Sequence, residues 1–243
     1  MVTATKFILP KVLFFGRTYE EYLEMFALEN KQLQGRDILD CPSGPDSFVA
    51  QGQERGLHIT GCDPMYYHRK GFLGKQARLD IKAGVNCMRN LLNELFVEPD
   101  WEEYLQRKLL ALKEFSRDFS CGLREGRYIP GALPSLPFKN RAFDLALSGN
   151  FLFSYADTKF GGTMKKSPFD LHFHRMAVQE LLRVARREVR IYPLYTLEIP
   201  SKQSPLVAPL VEELKQQGYR VDLIPSRYNH VQTNFNSVLV IKK

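Results

Sequence analysis

Two short apolar runs in the first quarter of the chain each end on a carboxylate. Ile38-Leu39 stops at Asp40, and the run from His58 to Cys62 stops at Asp63. Between them, Pro42-Ser43-Gly44-Pro45 reads as a tight turn. Ser47 to about Glu54 reads as a short helix that buries Phe48 and Val49 and is stopped by Gly56. Strand, turn, helix, strand is half of an α/β unit in which ligands bind off the carboxyl ends of parallel strands. Asp40 and Asp63 are therefore expected at that rim.

Upstream, Thr18-x-x-Glu21 is a capping box, and Tyr19, Tyr22, Leu23 and Phe26 recur at helical spacing until Gly35 ends the region. This helix either packs on the sheet edge or covers the ligand cleft. Arg17, just before the cap, is either a surface arginine or a partner for a carboxylate on the ligand. Downstream, the stretch 64–127 is far longer than one crossover requires. Val85, Met88, Leu92 and Leu95 mark one amphipathic helix there. Trp101, Tyr104, Leu105, Leu109, Leu112, Phe115 and Phe119 mark a longer one, opened by Pro99-Asp100. One can serve as the crossover between parallel strands; the other is surplus and is expected to cover or shape the site.

The remaining pattern alternates in the same way. Tyr128-Ile129 is a short third strand, and Phe143 to Leu147 is a buried fourth that ends at Ser148-Gly149-Asn150. Asp170 can cap a helix to about Arg186. Glu188 to Leu194 is a fifth strand. Leu210, Val211 and Leu214 mark a helix whose start is blurred by Pro209. Tyr219 to Ile224 and Ser237 to Ile241 are two last strands, close enough to pair. The pattern predicts one α/β domain over 1–243: a Rossmann-like, seven-stranded, mostly parallel sheet with helices on both faces. Residues 1–36 form an N-terminal helical cap, and 64–127 a helical insertion covering the site.

Composition narrows the classes. The chain has 243 residues, enough for one large domain, and no apolar run long enough to span a bilayer. The first residues lack the apolar run of a signal peptide. Cys41, Cys62, Cys87 and Cys121 are scattered, which argues against a structural zinc site and for reduced thiols in a cytoplasmic protein. The net charge of +7 can attract anionic partners, but its clusters are small and no basic-aromatic platform for RNA appears. A nicotinamide dehydrogenase is disfavoured. Pro42-Ser43-Gly44-Pro45-Asp46-Ser47 lacks the other glycines of the dinucleotide fingerprint, and Asp46 would repel a phosphate.

With these residues in place, the chain resembles the class I S-adenosylmethionine-dependent methyltransferases, and among them the small-molecule, ubiquinone-biosynthesis-type group. Three motifs carry the resemblance: Ile-Leu-Asp-Cys-Pro-Ser-Gly at 38–44, Gly-Cys-Asp at 61–63, and Leu-Pro-Phe-x-x-x-x-Phe-Asp-Leu-Ala-Leu at 136–147. It spans nearly the whole chain and implies a last strand antiparallel to the rest. Two departures stand out. Pro42 and Asp46 replace glycines of the first motif, and Ala132 stands where an acidic residue often follows the third strand. These departures motivate an alternative, a non-catalytic protein that binds S-adenosylmethionine or S-adenosylhomocysteine in a regulatory or interaction role.

The resemblance implies S-adenosylmethionine as cofactor and S-adenosylhomocysteine as product. Asp63 would accept from both ribose hydroxyls; the plainer reading is a turn aspartate. Asp40, with Cys41, Pro42 and Gly44, would lie at the amino-acid end, and Arg17 would meet its carboxylate. Pro64, Ala132 and Leu133 would lie beside the nucleoside. Ser148 and Asn150 would lie near the methyl group, though Asn150 equally suits a turn. His172, His174 and Tyr155, with Asn150, are the candidate catalytic groups; a helical histidine is as readily packing or surface. The loop from Thr158 to Ser167, with Gly161-Gly162, is expected to be mobile and either to act as a lid or to bind substrate. No metal site is expected. The expected partner is a small organic acceptor, with no membrane and no nucleic acid, and the oligomeric state stays open.

Overall fold

The computed structural model describes residues 5–92, 100–228 and 233–243. The chain order is β1 (Thr5–Lys6), α1 (Tyr19–Met25), α2 (Asn30–Leu33), β2 (Asp37–Asp40), α3 (Phe48–Glu54), β3 (His58–Asp63), α4 (Lys70–Leu92) and α5 (Trp101–Arg124). It continues with β4 (Tyr128–Pro130), β5 (Phe143–Gly149), α6 (Leu171–Val184), β6 (Ala185–Tyr192), β7 (Glu198–Ile199), α7 (Val207–Gln216), β8 (Arg220–Pro225) and β9 (Ser237–Lys242).

Seven strands form one sheet in the order β4-β3-β2-β5-β6-β9-β8. The first five are parallel, and β9 runs antiparallel to both β6 and β8. This is the expected architecture, with the last strand reversed. After β2 the chain first winds outward through β3 and β4, then returns to the other side of β2 for β5 and β6. The crevice between β2 and β5 is thus a topological switch point, where open α/β sheets hold ligand.

Strand periodicity divides the core into two layers. Ile38, Leu145 and Leu147 face one layer, with Phe48 of α3 and Phe115 and Phe119 of α5. Leu39 and Ala146 face the other, with Leu181 of α6 and Leu210 of α7. Both faces being covered explains why β5 is buried at every position from Phe143 to Ser148.

Several boundaries differ from expectation for identifiable reasons. α4 begins at Lys70, well before Val85: Leu73, Ala77 and Ile81 continue the buried stripe of Val85 at helical spacing back to the start of the helix, while Gln76, Asp80 and Gly84 on the neighbouring face meet a cavity. Leu95 and Pro99 lie outside the described residues; Asp100 caps α5 by accepting from the Glu102 and Glu103 amides. β6 starts at Ala185 directly after α6. Pro209 sits in the first turn of α7, where its missing N–H costs nothing. A second, two-stranded sheet pairs β1 with β7, and nothing in the sequence pattern announced it. No helix among the described residues is long and apolar enough to cross a membrane.

Candidate functional site

A cavity of about 590 Å³ opens off the carboxyl ends of β2, β3 and β5. Its floor is made by the turn at Pro42, Ser43 and Gly44, by Asp63 and Pro64, by Ala132 and Leu133, and by Asn150. The turn is held by its own backbone. Gly44 adopts φ +66°, the left-handed region that favours glycine, and its N–H donates to Asp63 Oδ2 at 2.9 Å. Tyr66 closes the turn from below by donating to the Gly44 carbonyl at 2.6 Å.

Asp63 also accepts from the Met65 amide at 2.8 Å, so it caps the short turn over Pro64–Tyr67 while lining the cavity. The two sequence readings of this residue are compatible. Burial pushes its carboxyl up to about 7, against the pull of the two backbone donors.

Asp40 is not at the rim. It is fully buried behind Tyr22, whose hydroxyl lies 3.0 and 3.2 Å from its oxygens and 2.8 Å from Asp46 Oδ2. The Tyr22 hydroxyl has one hydrogen for these two neighbouring carboxyl groups, so their titrations are linked. Burial raises Asp40 well above the usual carboxylate range and lifts Asp46 to about 6. Asp46 also accepts from Ser43 Oγ at 3.1 Å and from the Phe48 amide at 2.9 Å. The residue that replaces a motif glycine therefore turns inward and braces the turn from beneath.

The other predicted residues divide. Arg17, Pro42, Gly44, Asp63, Pro64, Ala132, Leu133, Asn150 and Tyr155 line the cavity. Asp40, Cys41, Ser148, His172 and His174 do not. Cys41 is packed in the core layer with Cys62. Ser148 is buried with no hydrogen-bond partner among the described residues. Asn150 adopts φ +52° and donates from its side chain to Met25 Sδ at 3.1 Å, so it turns the chain and lines the floor at once. The phase of α6 removes both histidines: His172 points to solvent, and His174 is buried against Phe153 with Nδ1 2.7 Å from the Asp170 carbonyl. Burial lowers the His174 pKa.

Arg17 carries the least satisfied charge in the cavity wall. Its Nε is buried without a partner among the described residues, and the guanidinium lies 4.7 Å over the Phe15 ring. Among the described residues, the one hydrogen bond of its side chain runs to the Gly16 carbonyl at 3.3 Å. An arginine stays charged when buried, so this geometry asks for an anion.

The roof comes from the expected N-terminal segment and the 64–127 stretch, but from an extended strap rather than from the N-terminal helix. Residues 7–15 cross the cavity as a strap that contributes Phe7, Leu9, Phe14 and Phe15. Asp80 of α4 pins it, accepting from Lys11 Nζ at 2.8 Å and from the Phe14 amide at 2.9 Å. The loop from Thr158 to Ser167 is not an outlying lid. Its Gly161–Thr163 core is buried, Thr163 accepts from the Leu9 amide at 2.8 Å, and Gly161 accepts from Leu197 at 3.1 Å. Tyr104, Tyr195 and Tyr228 complete the far wall. Behind them lies a buried ion pair between Lys108 and Glu21. One signal for it was present: Lys108 falls on the apolar stripe of α5, between Tyr104 and Leu112.

No family model matches the chain. An uncharacterized protein of Methanocaldococcus jannaschii, MJ0045, is 27% identical over 241 residues, covering 97% of this chain and 98% of that one. Among solved structures, magnesium protoporphyrin IX methyltransferase from Synechocystis with bound SAM is similar at a TM-score of 0.44 and 12% identity, covering 93% of this chain and 77% of that chain. The 1,6-didemethyltoxoflavin-N1-methyltransferase of Burkholderia thailandensis is similar at 0.43 and 13%, covering 91% and 76%. A SAM-dependent methyltransferase from Aquifex aeolicus is similar at 0.42 and 12%, covering 92% and 87%. At these identities and scores, the chemistry has to be read from the site's own geometry.

Proposed function

We propose that this protein is an S-adenosylmethionine-dependent methyltransferase acting on a small, largely apolar organic molecule. One observation carries the reading: the left-handed Gly44 turn is tied to the Asp63 carboxylate, and both face a cavity at the sheet's switch point. Asp63 would hold the ribose, Ala132 and Leu133 would lie beside the adenine, and Arg17 would take the carboxylate of the amino-acid end. The partnerless Arg17 Nε is the feature that fits such a group. The inward-facing Asp46 removes the objection that the altered motif spoils the turn.

The cofactor supplies an electrophilic methyl group on a sulfonium that leaves readily. The protein's task is then chiefly to orient and enclose. Aligning two bound reactants can contribute roughly 7–11 kcal/mol. The strap residues Phe7, Leu9 and Phe14, with Phe151 and Phe169, give the acceptor an apolar chamber that keeps water out.

Thermal unfolding tests the assignment through Arg17. S-adenosylhomocysteine at a hundred times its Kd is expected to stabilise the protein by about 2.7 kcal/mol. 5′-Methylthioadenosine, which lacks the amino-acid end, is expected to stabilise it less at the same concentration. In Arg17→Met the two should become equal. A variant that keeps the full difference would show that Arg17 does not meet the carboxylate.

A further inference from the structure

The cavity wall contains a route for a proton that no part of the cofactor site uses. Tyr228 lines the cavity, and its hydroxyl donates to Glu21 Oε1 at 2.8 Å. Glu21 does not line the cavity. It sits one layer behind, with Oε2 accepting from the Thr18 amide at 2.8 Å and Oε1 paired with Lys108. Lys108 has no exposed surface at all and lies 4.5 Å over the Tyr104 ring. A buried carboxylate paired with a lysine, and hydrogen-bonded to the hydroxyl of a tyrosine that lines the cavity, is the arrangement of a proton acceptor.

We propose that the methyl acceptor is a phenol, and that Tyr228 passes its proton to Glu21. This rests on the methyl-transfer reading and names the substrate class and the base for it. The acceptor O–H bond breaks as its proton moves to Tyr228 Oη. The hydrogen of Tyr228 moves at the same time to Glu21 Oε1. The electron pair stays on the acceptor oxygen, which becomes the nucleophile. Negative charge moves from Glu21 to the acceptor, so the net charge of the buried chamber does not change. Release of product and reopening of the cavity let the Glu21 proton return to solvent by the same hydroxyl.

The walls select the acceptor's shape. Phe7, Leu9, Phe151, Phe169 and Leu197 form an aromatic and aliphatic chamber beside the tyrosines. A flat ring carrying a hydroxyl fits both halves. Carboxylic acids, and aromatic thiols for the most part, are already ionised near neutral pH and would need no such relay; a phenol, with a pKa near 10, does. Among the described residues, the groups facing Tyr228 include Glu21 from α1, Arg17 before it, Tyr104 from α5 and Tyr192 from β6.

The test uses 2-naphthol and its thiol analogue, 2-naphthalenethiol, bound to the protein saturated with S-adenosylhomocysteine. The absorbance of bound 2-naphthol reports its ionisation. In the native protein it should ionise at lower pH than in water. In Tyr228→Phe that midpoint should rise by at least one unit, a tenfold loss, while binding of the ionised thiol changes less than twofold. S-adenosylhomocysteine affinity should be the same in both proteins, which also shows that the variant is folded. An unchanged midpoint, or equal loss for naphthol and thiol, would overturn the relay. Failure of 2-naphthol to bind a complex that does bind S-adenosylhomocysteine would overturn the phenol class and leave the cofactor reading standing. Failure to bind S-adenosylhomocysteine would remove the reading on which both depend.

Discussion

Asp63 does two jobs with one carboxylate, and they pull its protonation in opposite directions. The Gly44 and Met65 amides favour the anion, but burial dominates and lifts the group from 3.8 to about 7. Ribose hydroxyls donate to the ionised form, so cofactor affinity should be lost as pH falls through about 7. At pH 6 it is expected to be about tenfold weaker than at pH 8, from the fraction of Asp63 still protonated. The stability sign is opposite: the folded protein holds a proton that the unfolded chain releases, so this group's contribution fades between about pH 4 and 7. Asp63→Ala should weaken S-adenosylhomocysteine binding by about 1.5–3 kcal/mol, roughly ten- to a hundred-fold. Calorimetry across pH reads both effects, and a folded Asp63→Ala with unchanged affinity would sink the ribose role. The sequence alone put this residue at a strand end, where it lines the cavity, because an apolar run that ends on an acidic residue is a local pattern. It could not place Asp40, which has the same local pattern, because only the fold brings Tyr22 across it.

At the scale of elements, the roof is held by charge and the floor by backbone. Asp80 ties the strap to α4 through Lys11, Gln76 and the Phe14 amide. Asp80→Ala leaves a buried N–H without its acceptor and is expected to cost about 1–3 kcal/mol. Hydrogen exchange should then speed up at the Phe14 amide before it does in β5; uniform acceleration would mean that Asp80 supports the whole fold rather than the strap. Lys108→Met removes one partner of a buried pair and is expected to cost about 3–5 kcal/mol in urea unfolding. A loss below about 1 kcal/mol would show that Glu21 is neutralised without it. The capping box at Thr18 and Glu21 was readable because Thr-x-x-Glu is a four-residue signal. That the other oxygen of the same carboxylate would serve Lys108 was not, since 87 residues separate the two. The strap escaped notice because it has no period of its own. Its backbone partners are Leu197, through Phe7, and Thr163, through Leu9.

At the scale of the molecule, the sheet was legible almost strand by strand. Fully buried parallel strands read as continuous apolar runs, and both covered faces of β2 and β5 gave that signal. The cavity was half legible. Its floor comes from strand ends, where sequence position and spatial position coincide. Its roof and far wall come from the strap, α4, the Tyr155–Phe169 connection and Tyr228, which converge only in the folded chain. The candidate catalytic histidines illustrate the limit: the residue type suited the chemistry, but the helical phase turned one to solvent and the other into the core. The central claim is that this cavity is built for S-adenosylmethionine. Calorimetric titration with S-adenosylmethionine, S-adenosylhomocysteine and NAD tests it most directly. The account predicts micromolar binding of the first two, near −8 kcal/mol, and none of NAD, whose phosphates find no glycine-rich cradle. Binding of none of the three, or of NAD alone, would contradict it.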